Sequence, residues 1–270
     1  MPPSRFPVGH QPRGASKCDL RHTYCAPFTP STLTVELGRG AKCAGHARGP
    51  ARDSLPLVTA YGSAYADLLG LVAFGELLAF ERMAGDARLA PDLRRRAALN
   101  EMAAAEIANY RRLADRLTAL GVPPEDAMAP YVEPLQAYHD STEPRDWAEV
   151  VTKAYVGDAI TDDFVREIAD ALEEPDRALV LDVLHDSRYA DFAAAEIRVA
   201  VADDPRVAGR LSMWARRLVG EALSQAGRVA AERATLTALI ARDGRVDVSG
   251  LFGRLTTAHT ARMAAAGLNN

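Results

Sequence analysis

Two acids fall at the centres of two consecutive apolar helical stripes. An ionised carboxylate in such a place is costly unless it is paired, protonated or bound to a metal. Between Tyr61 and Leu120 the apolar spacing predicts two long helices with a sharp break at Ala90-Pro91, Pro91 being an early residue of the second. The first places Tyr65, Leu68, Leu69, Val72, Ala79 and Met83 on one face, with Glu76 among them. The second places Leu99, Met102, Ala103, Tyr110, Leu113 and Leu117 together, with Glu106 at the midpoint. At about 100° per residue, Glu81 and Glu101 turn to the opposite faces and read as solvated acids.

The rest of the chain repeats the pattern. Gly121-Val122-Pro123-Pro124 stops the second helix, and a connection of mixed composition runs to about Pro144, long enough to cross from one end of a bundle to the other. A third helix is signalled by Ser141-Thr142-Glu143-Pro144 and continues from Trp147 to Leu172. Trp147, Val151, Ala154, Val165 and Ala169 form its stripe; Asp158 and Asp162 fall on that side, and Asp163 points away. After Glu173-Glu174-Pro175 a fourth helix buries Leu179, Val183, Ala190, Ala193 and Ile197, with Asp186 on the stripe. Beyond Asp203-Asp204-Pro205 a fifth carries Leu211, Ala215, Leu218, Ala222, Val229, Leu236 and Ile240 on one side, until Gly244. Residues 245–270 form a tail with a further helix around Gly250 to Ala266. A chain with 48% hydrophobic but only 6% aromatic residues builds its core from Ala, Leu and Val, which favours close-packed helices.

Residues 1–56 differ in kind. They are rich in Pro, Gly, Arg and Ser, show neither helical nor strand periodicity, and read as a disordered, dispensable extension. All the cysteines lie there, Cys18, Cys25 and Cys43, with His22 and His46 nearby, but they lack the short paired intervals of structural zinc sites. The extension is basic and the body acidic, within a net charge of −4, so the body does not advertise nucleic-acid binding, although Arg94-Arg95-Arg96 and Arg111-Arg112 can touch phosphates locally. No uncharged apolar run reaches the roughly 18 residues of a membrane span, and no apolar leader opens the chain. The expected location is the cytoplasm, without a membrane partner.

Two antiparallel hairpins joined by a long crossover, with a fifth helix, are the layout of an all-α, ferritin-like four-helix bundle over residues 57–244. Folding each hairpin about its turn brings Glu76 level with Glu106, and Asp186 level with Asp162 and about a turn and a half from Asp158. Four inward acids, one per helix, then share a layer, the arrangement that carboxylate di-metal bundles combine with an acid-x-x-His pair on two of the helices.

Four segments carry a resemblance to a known family: AFGELLAFERMAGDARLAP (73–91), EMAAAEIANYRRLADRL (101–117), VTKAYVGDAITDDFVREIADAL (151–172) and DPRVAGRLSMWARRLVGEALSQAGRVAAER (204–233). Over about residues 60–240 the chain resembles the ferritin-like proteins akin to methylthio-isopentenyladenosine tRNA hydroxylases, in their actinobacterial branch. The resemblance implies a non-haem di-iron cofactor, dioxygen, an electron donor and tRNA as the partner whose isopentenyl group is hydroxylated. It also implies the metal set: Glu76 as the lone carboxylate of the first helix, and Glu106 and Asp186 at the heads of two acid-x-x-His slots. Those slots end here in Asn109 and Tyr189 instead of histidine. Asn offers only a weak amide oxygen and Tyr only a phenolate, where iron favours imidazole with carboxylate. His185 lies about 100° round the helix from Asp186, and His139 lies in the crossover, free to fold over the bundle.

The alternative is a non-catalytic bundle that has lost its histidine ligands and acts as a scaffold, through its surface or as a homodimer. Its acids then form a buried polar network with Tyr65, Tyr110, Tyr189, Asn109 or an arginine, Arg188 and Arg111 being available. A simple iron-binding or peroxide-consuming protein is a third reading. Glu221 reads as a packing or salt-bridge residue, and Met102 and Trp214 as core.

Overall fold

A computed structural model describes residues 55–184, 187–241 and 248–269; the N-terminal extension with its cysteines, and His185 and Asp186, lie outside the described residues. The organising element is α1 (Leu55–Asp86), a 32-residue helix about 48 Å long. From Ala64 to Ala73 nearly every residue of α1 is buried, whichever way it faces. A helix covered all round sits in the middle of a core, not on its edge. An 18-residue window within Gly62–Leu89 has a mean hydropathy of 1.4 and is long and apolar enough to cross a membrane, but 67% of that window is buried inside the bundle. The packing accounts for the hydropathy.

A 3₁₀ turn (Ala87–Leu89) leads to α2 (Leu93–Ala119), which returns along α1 as the most extensive helix pair of the fold. The second helix does not take Pro91 into its first turn. Asp92 is the N-cap instead, its carboxylate accepting from the Arg95 backbone N–H at 2.9 Å, and this capping bond sets the start two residues later. Gly121 adopts φ +76° just past the other end, and Val122 N–H closes back on Leu117 O at 3.0 Å. That is the left-handed helix stop the sequence implied.

The crossover is helical, not irregular. It contains α3 (Pro124–Met128), a 3₁₀ turn (Ala129–Tyr131) and α4 (Val132–Ser141). Prolines in first turns, Pro124 and Pro134, mask these helices in a reading that takes Pro as a break. The crossover packs so closely on α1 that a Cβ on Gly70 would come within 2.2 Å of the Ala127 carbonyl oxygen. Gly70→Ala is therefore expected to push α3 off α1 and to destabilise the fold by about 1–3 kcal/mol, read as a lower denaturant midpoint.

The third rod consists of α5 (Trp147–Lys153), a π-helical turn (Ala154–Asp158) and α6 (Ala159–Ala169). The fourth helix is broken. α7 (Asp176–Asp182) ends at Val183, and α8 (Ser187–Asp203) starts on a new register, which leaves Ala190 exposed while Ala193 and Ile197 stay buried. The fifth is broken too, into α9 (Pro205–Glu232) and α10 (Ala234–Ala241), with α11 (Val248–Ala265) closing the chain against α6. The residue between α9 and α10 is Arg233, whose guanidinium reaches back to Asp67 in the middle of α1. The described residues contain no strand.

Candidate metal centre

Three apolar clusters fill the interior, and the candidate acids lie between them. Tyr65, Leu68, Leu69 and Val72 of α1 join Leu113 and Leu117 of α2 in the largest cluster. Met83 and Ala87 join Leu99, Met102 and Ala103 in a second, nearer the α1–α2 turn. Glu76 and Glu106 occupy the gap between the two, 6% and 1% exposed. On α6, Asp162 falls in a comparable gap, between Ile160 on one cluster and Val165 on another, but is half-buried. The sequence position of Asp186, between Val183 and Tyr189, lies outside the described residues.

Asn109 ties the layer together. Standing one turn beyond Glu106 on the same face of α2, it donates from Nδ2 to Glu76 Oε2 at 3.3 Å and to the Val183 carbonyl at 3.0 Å. A carboxylate and a backbone carbonyl are both acceptors, so the amide must turn its nitrogen to them and its oxygen away. In the imidazole slot, Asn109 thus holds Glu76 in place instead of offering a donor atom of its own. Tyr189, in the other slot, packs half-buried with Phe192 against the Met83–Leu99–Met102 cluster. Among the described residues, no three His, Cys, Asp or Glu side chains gather closely enough to hold a metal, so Glu76, Glu106 and Asp162 alone do not close a site.

The remaining candidates are placed elsewhere. Asp158, at the end of the π turn, acts electrostatically on Tyr138 and Lys153. His139 sits on α4 beside Lys153 and Arg82. Asp163 does not face solvent but pairs with Arg262 of α11 at 2.5 Å. Arg95 pairs with Glu196 at 2.5 Å, which also accepts from the Trp147 indole at 3.0 Å, whereas Arg94 and Arg111 stay exposed.

Buried polar groups that helical periodicity does not single out are prominent here. Asp67, 6% exposed, accepts from the Tyr131 hydroxyl at 2.7 Å and from Arg233 and Thr235. Burial and the adjoining Asp67 carboxylate raise the Tyr131 phenol well above its ordinary range. Glu149 accepts from Arg210 at 2.8 Å and from the Arg145 backbone at 2.9 Å. Each is a satisfied structural acid.

A long α1–α2 hairpin with inward acids, a helical crossover and a third and fourth rod make a specific architecture, and a family model for the actinomycete ferritin-like domain matches residues 59–243. The chain belongs to this family. In fold, this ferritin-like protein is similar to a solved Synechococcus protein with aldehyde deformylating oxidase activity. The TM-score is 0.63, over 78% of this chain and 92% of that one, at 19% sequence identity. The likeness is one of fold. None of the curated proteins matches the ferritin-like sequence.

Proposed function

We propose that this ferritin-like protein is a dioxygen-dependent hydroxylase of the tRNA-modifying type, holding two irons through Glu76, Glu106, Asp162 and Asp186. The observation that carries the reading is the polar layer: two carboxylates, 6% and 1% exposed, between apolar clusters on facing helices. The donor set fits iron in kind, because carboxylate oxygens join nitrogen and oxygen ligands in non-haem iron sites. One supporting contact is in place as well: a ligating carboxylate is normally steadied by a hydrogen bond from behind, and Asn109 gives one to Glu76. That the fold is shared with an oxidase acting on aldehydes supports oxygen chemistry as the class of reaction.

When bound, the iron pair supplies the dioxygen chemistry that places one oxygen atom in a C–H bond, while an external donor of two electrons and two protons balances the second oxygen as water. The chain's own residues supply the surroundings. Glu76 and Glu106 would offer their carboxylate oxygens as ligands. Asn109 fixes the orientation of Glu76. The clusters around Leu69 and Met102 keep bulk water from the layer, which strengthens every charge interaction inside it. For tRNA, the resemblance of residues 60–240 is the support, and exposed Arg94 and Arg111 are the groups expected to meet phosphate.

A second reading, a bundle without metal chemistry, is favoured by one observation: Asn109 uses its amide as a donor where the resemblance implies an imidazole ligand. Metal analysis after expression in iron-supplemented medium separates the two. About two irons per chain, with the absorption of carboxylate-bridged iron, is the expected result. No iron, with a melting temperature unmoved by chelator, establishes the second reading.

A further inference from the structure

The chain uses arginine almost throughout: of 32 lysines and arginines, only Lys17, Lys42 and Lys153 are lysines, so Lys153 is the one lysine of the helical body. Its setting is as unusual as its identity. It is the last residue of α5, immediately before the π turn, and is 7% exposed. Departures of this kind from α-helical geometry are frequent at functional sites. The Lys153 ammonium donates to the Thr142 carbonyl at 2.7 Å and lies 5.4 Å from the centre of the Tyr138 ring.

Lys153 also lines a cleft of about 150 Å³, shared with Arg82 and Asp86 from the end of α1, His139 from α4, and Glu143. The cations at its rim have acid partners, Arg82 with Asp140 at 3.1 Å and Arg88 with Glu143 at 3.9 Å. Inside, His139 Nδ1 is buried with no hydrogen-bond partner among the described residues. Asp86 stands ten residues along α1 from Glu76, about 15 Å by helical rise, so the cleft is not the carboxylate layer.

We infer that this cleft is a second site of the protein, in which the Lys153 amine captures a small aldehyde as a reversible imine. A volume of about 150 Å³ accepts a molecule of roughly benzene size. Arginine cannot perform this step because its guanidinium keeps its proton in proteins, whereas a buried lysine releases its proton readily. The surroundings act in that direction. Burial, with Arg82 adding to it, lowers the Lys153 pKa to about 8 against the opposing pull of Asp86, Asp158 and Glu143. Burial also raises the Asp86 carboxyl, against the opposing pull of Lys153, Arg88 and Arg82. Burial, then Lys153 and Arg82, push His139 down to about 3, which leaves it a neutral imidazole.

The step balances without a redox partner. The Nζ lone pair forms a bond to the carbonyl carbon, and the carbonyl oxygen, keeping its π pair, becomes a hydroxyl by taking the first of the two amine protons, giving a carbinolamine. The Asp86 carboxyl relays the second amine proton to that hydroxyl, so that water leaves as the C=N bond forms.

Trapping on the intact chain tests this. Propanal with cyanoborohydride converts an imine to a stable propyl amine, located by peptide mass mapping, and no iron is needed, so the result is independent of the carboxylate layer. At about pH 7.5 Lys153 is expected to be labelled about tenfold faster than Lys17 and Lys42, because an amine of ordinary pKa is only on the order of 1% neutral or less there. The Lys153 rate should level off near pH 8, while theirs keeps rising. Asp86→Asn, with an unchanged circular dichroism melt, should slow Lys153 labelling about fivefold or more by removing the carboxyl that relays the proton. Lys153 left unmodified, or labelled at the pace of the other two lysines across the pH series, overturns the inference. The wild-type pH series alone decides if the variant does not fold.

Discussion

Asp67→Ala is expected to lower the free energy of unfolding by about 3–5 kcal/mol, the loss typical of removing one partner from a buried ion pair. The carboxylate is 6% exposed in the most enclosed stretch of α1 and receives three side chains: the Tyr131 hydroxyl at 2.7 Å, the Thr235 hydroxyl, and a two-pronged contact from Arg233. Truncation leaves the hydroxyl of a fully buried tyrosine without its acceptor, a penalty of about 1–3 kcal/mol in itself. It also strands a guanidinium that is about one-third exposed and so keeps part of its hydration. Because Arg233 lies at the break between α9 and α10, losing the contact should also release α10 from α1. The urea midpoint should fall, and hydrogen exchange should quicken in 234–241 before the rest. A destabilisation below about 1 kcal/mol would show that this cluster contributes no more than an exposed pair.

The same residue shows why the sequence discloses some of this molecule and hides the rest. Helical periodicity works where a helix has one wet face, as on α2, where Leu99, Met102, Ala103, Glu106, Leu113 and Leu117 are all buried on the expected stripe. It fails on α1, where burial runs all round the helix from Ala64 to Ala73 and Asp67 cannot be told from a solvated acid by its angle. Breaks marked by Gly or Pro are legible, as at Gly121 and Pro205. The breaks at Val183 and Arg233 are not, because nothing local forces them. At Arg233 the tertiary partner is Asp67, far away in the chain. The centre divides in the same way. The inward facing of Glu76 and Glu106 follows from spacing on two unbroken helices, whereas the level of Asp186 depends on a continuous fourth helix, and α7 ends before that residue. Asn109 could be placed on the correct face, but its role as a donor to Glu76 depends on which acceptors surround it.

Glu106→Ala is expected to abolish iron binding, so that iron per chain falls from about two to background in the supplemented preparation. Glu106 is the most buried acid of the described residues and sits one turn from the amide that holds Glu76, so no neighbouring side chain on α2 can take its place. Asn109→Ala should act differently. It removes a hydrogen bond to a ligand and not a ligand, so affinity should drop by roughly 10–100-fold with the stoichiometry recoverable at high iron. The pair of outcomes is more informative than either alone. Loss at Glu106 with weakening at Asn109 identifies a ligand and its support. Equal loss at both makes Asn109 a ligand after all, its amide having turned over to present oxygen to the metal. If neither variant changes the iron content, and both change only the unfolding midpoint, the polar layer is structural and the hydroxylase reading fails.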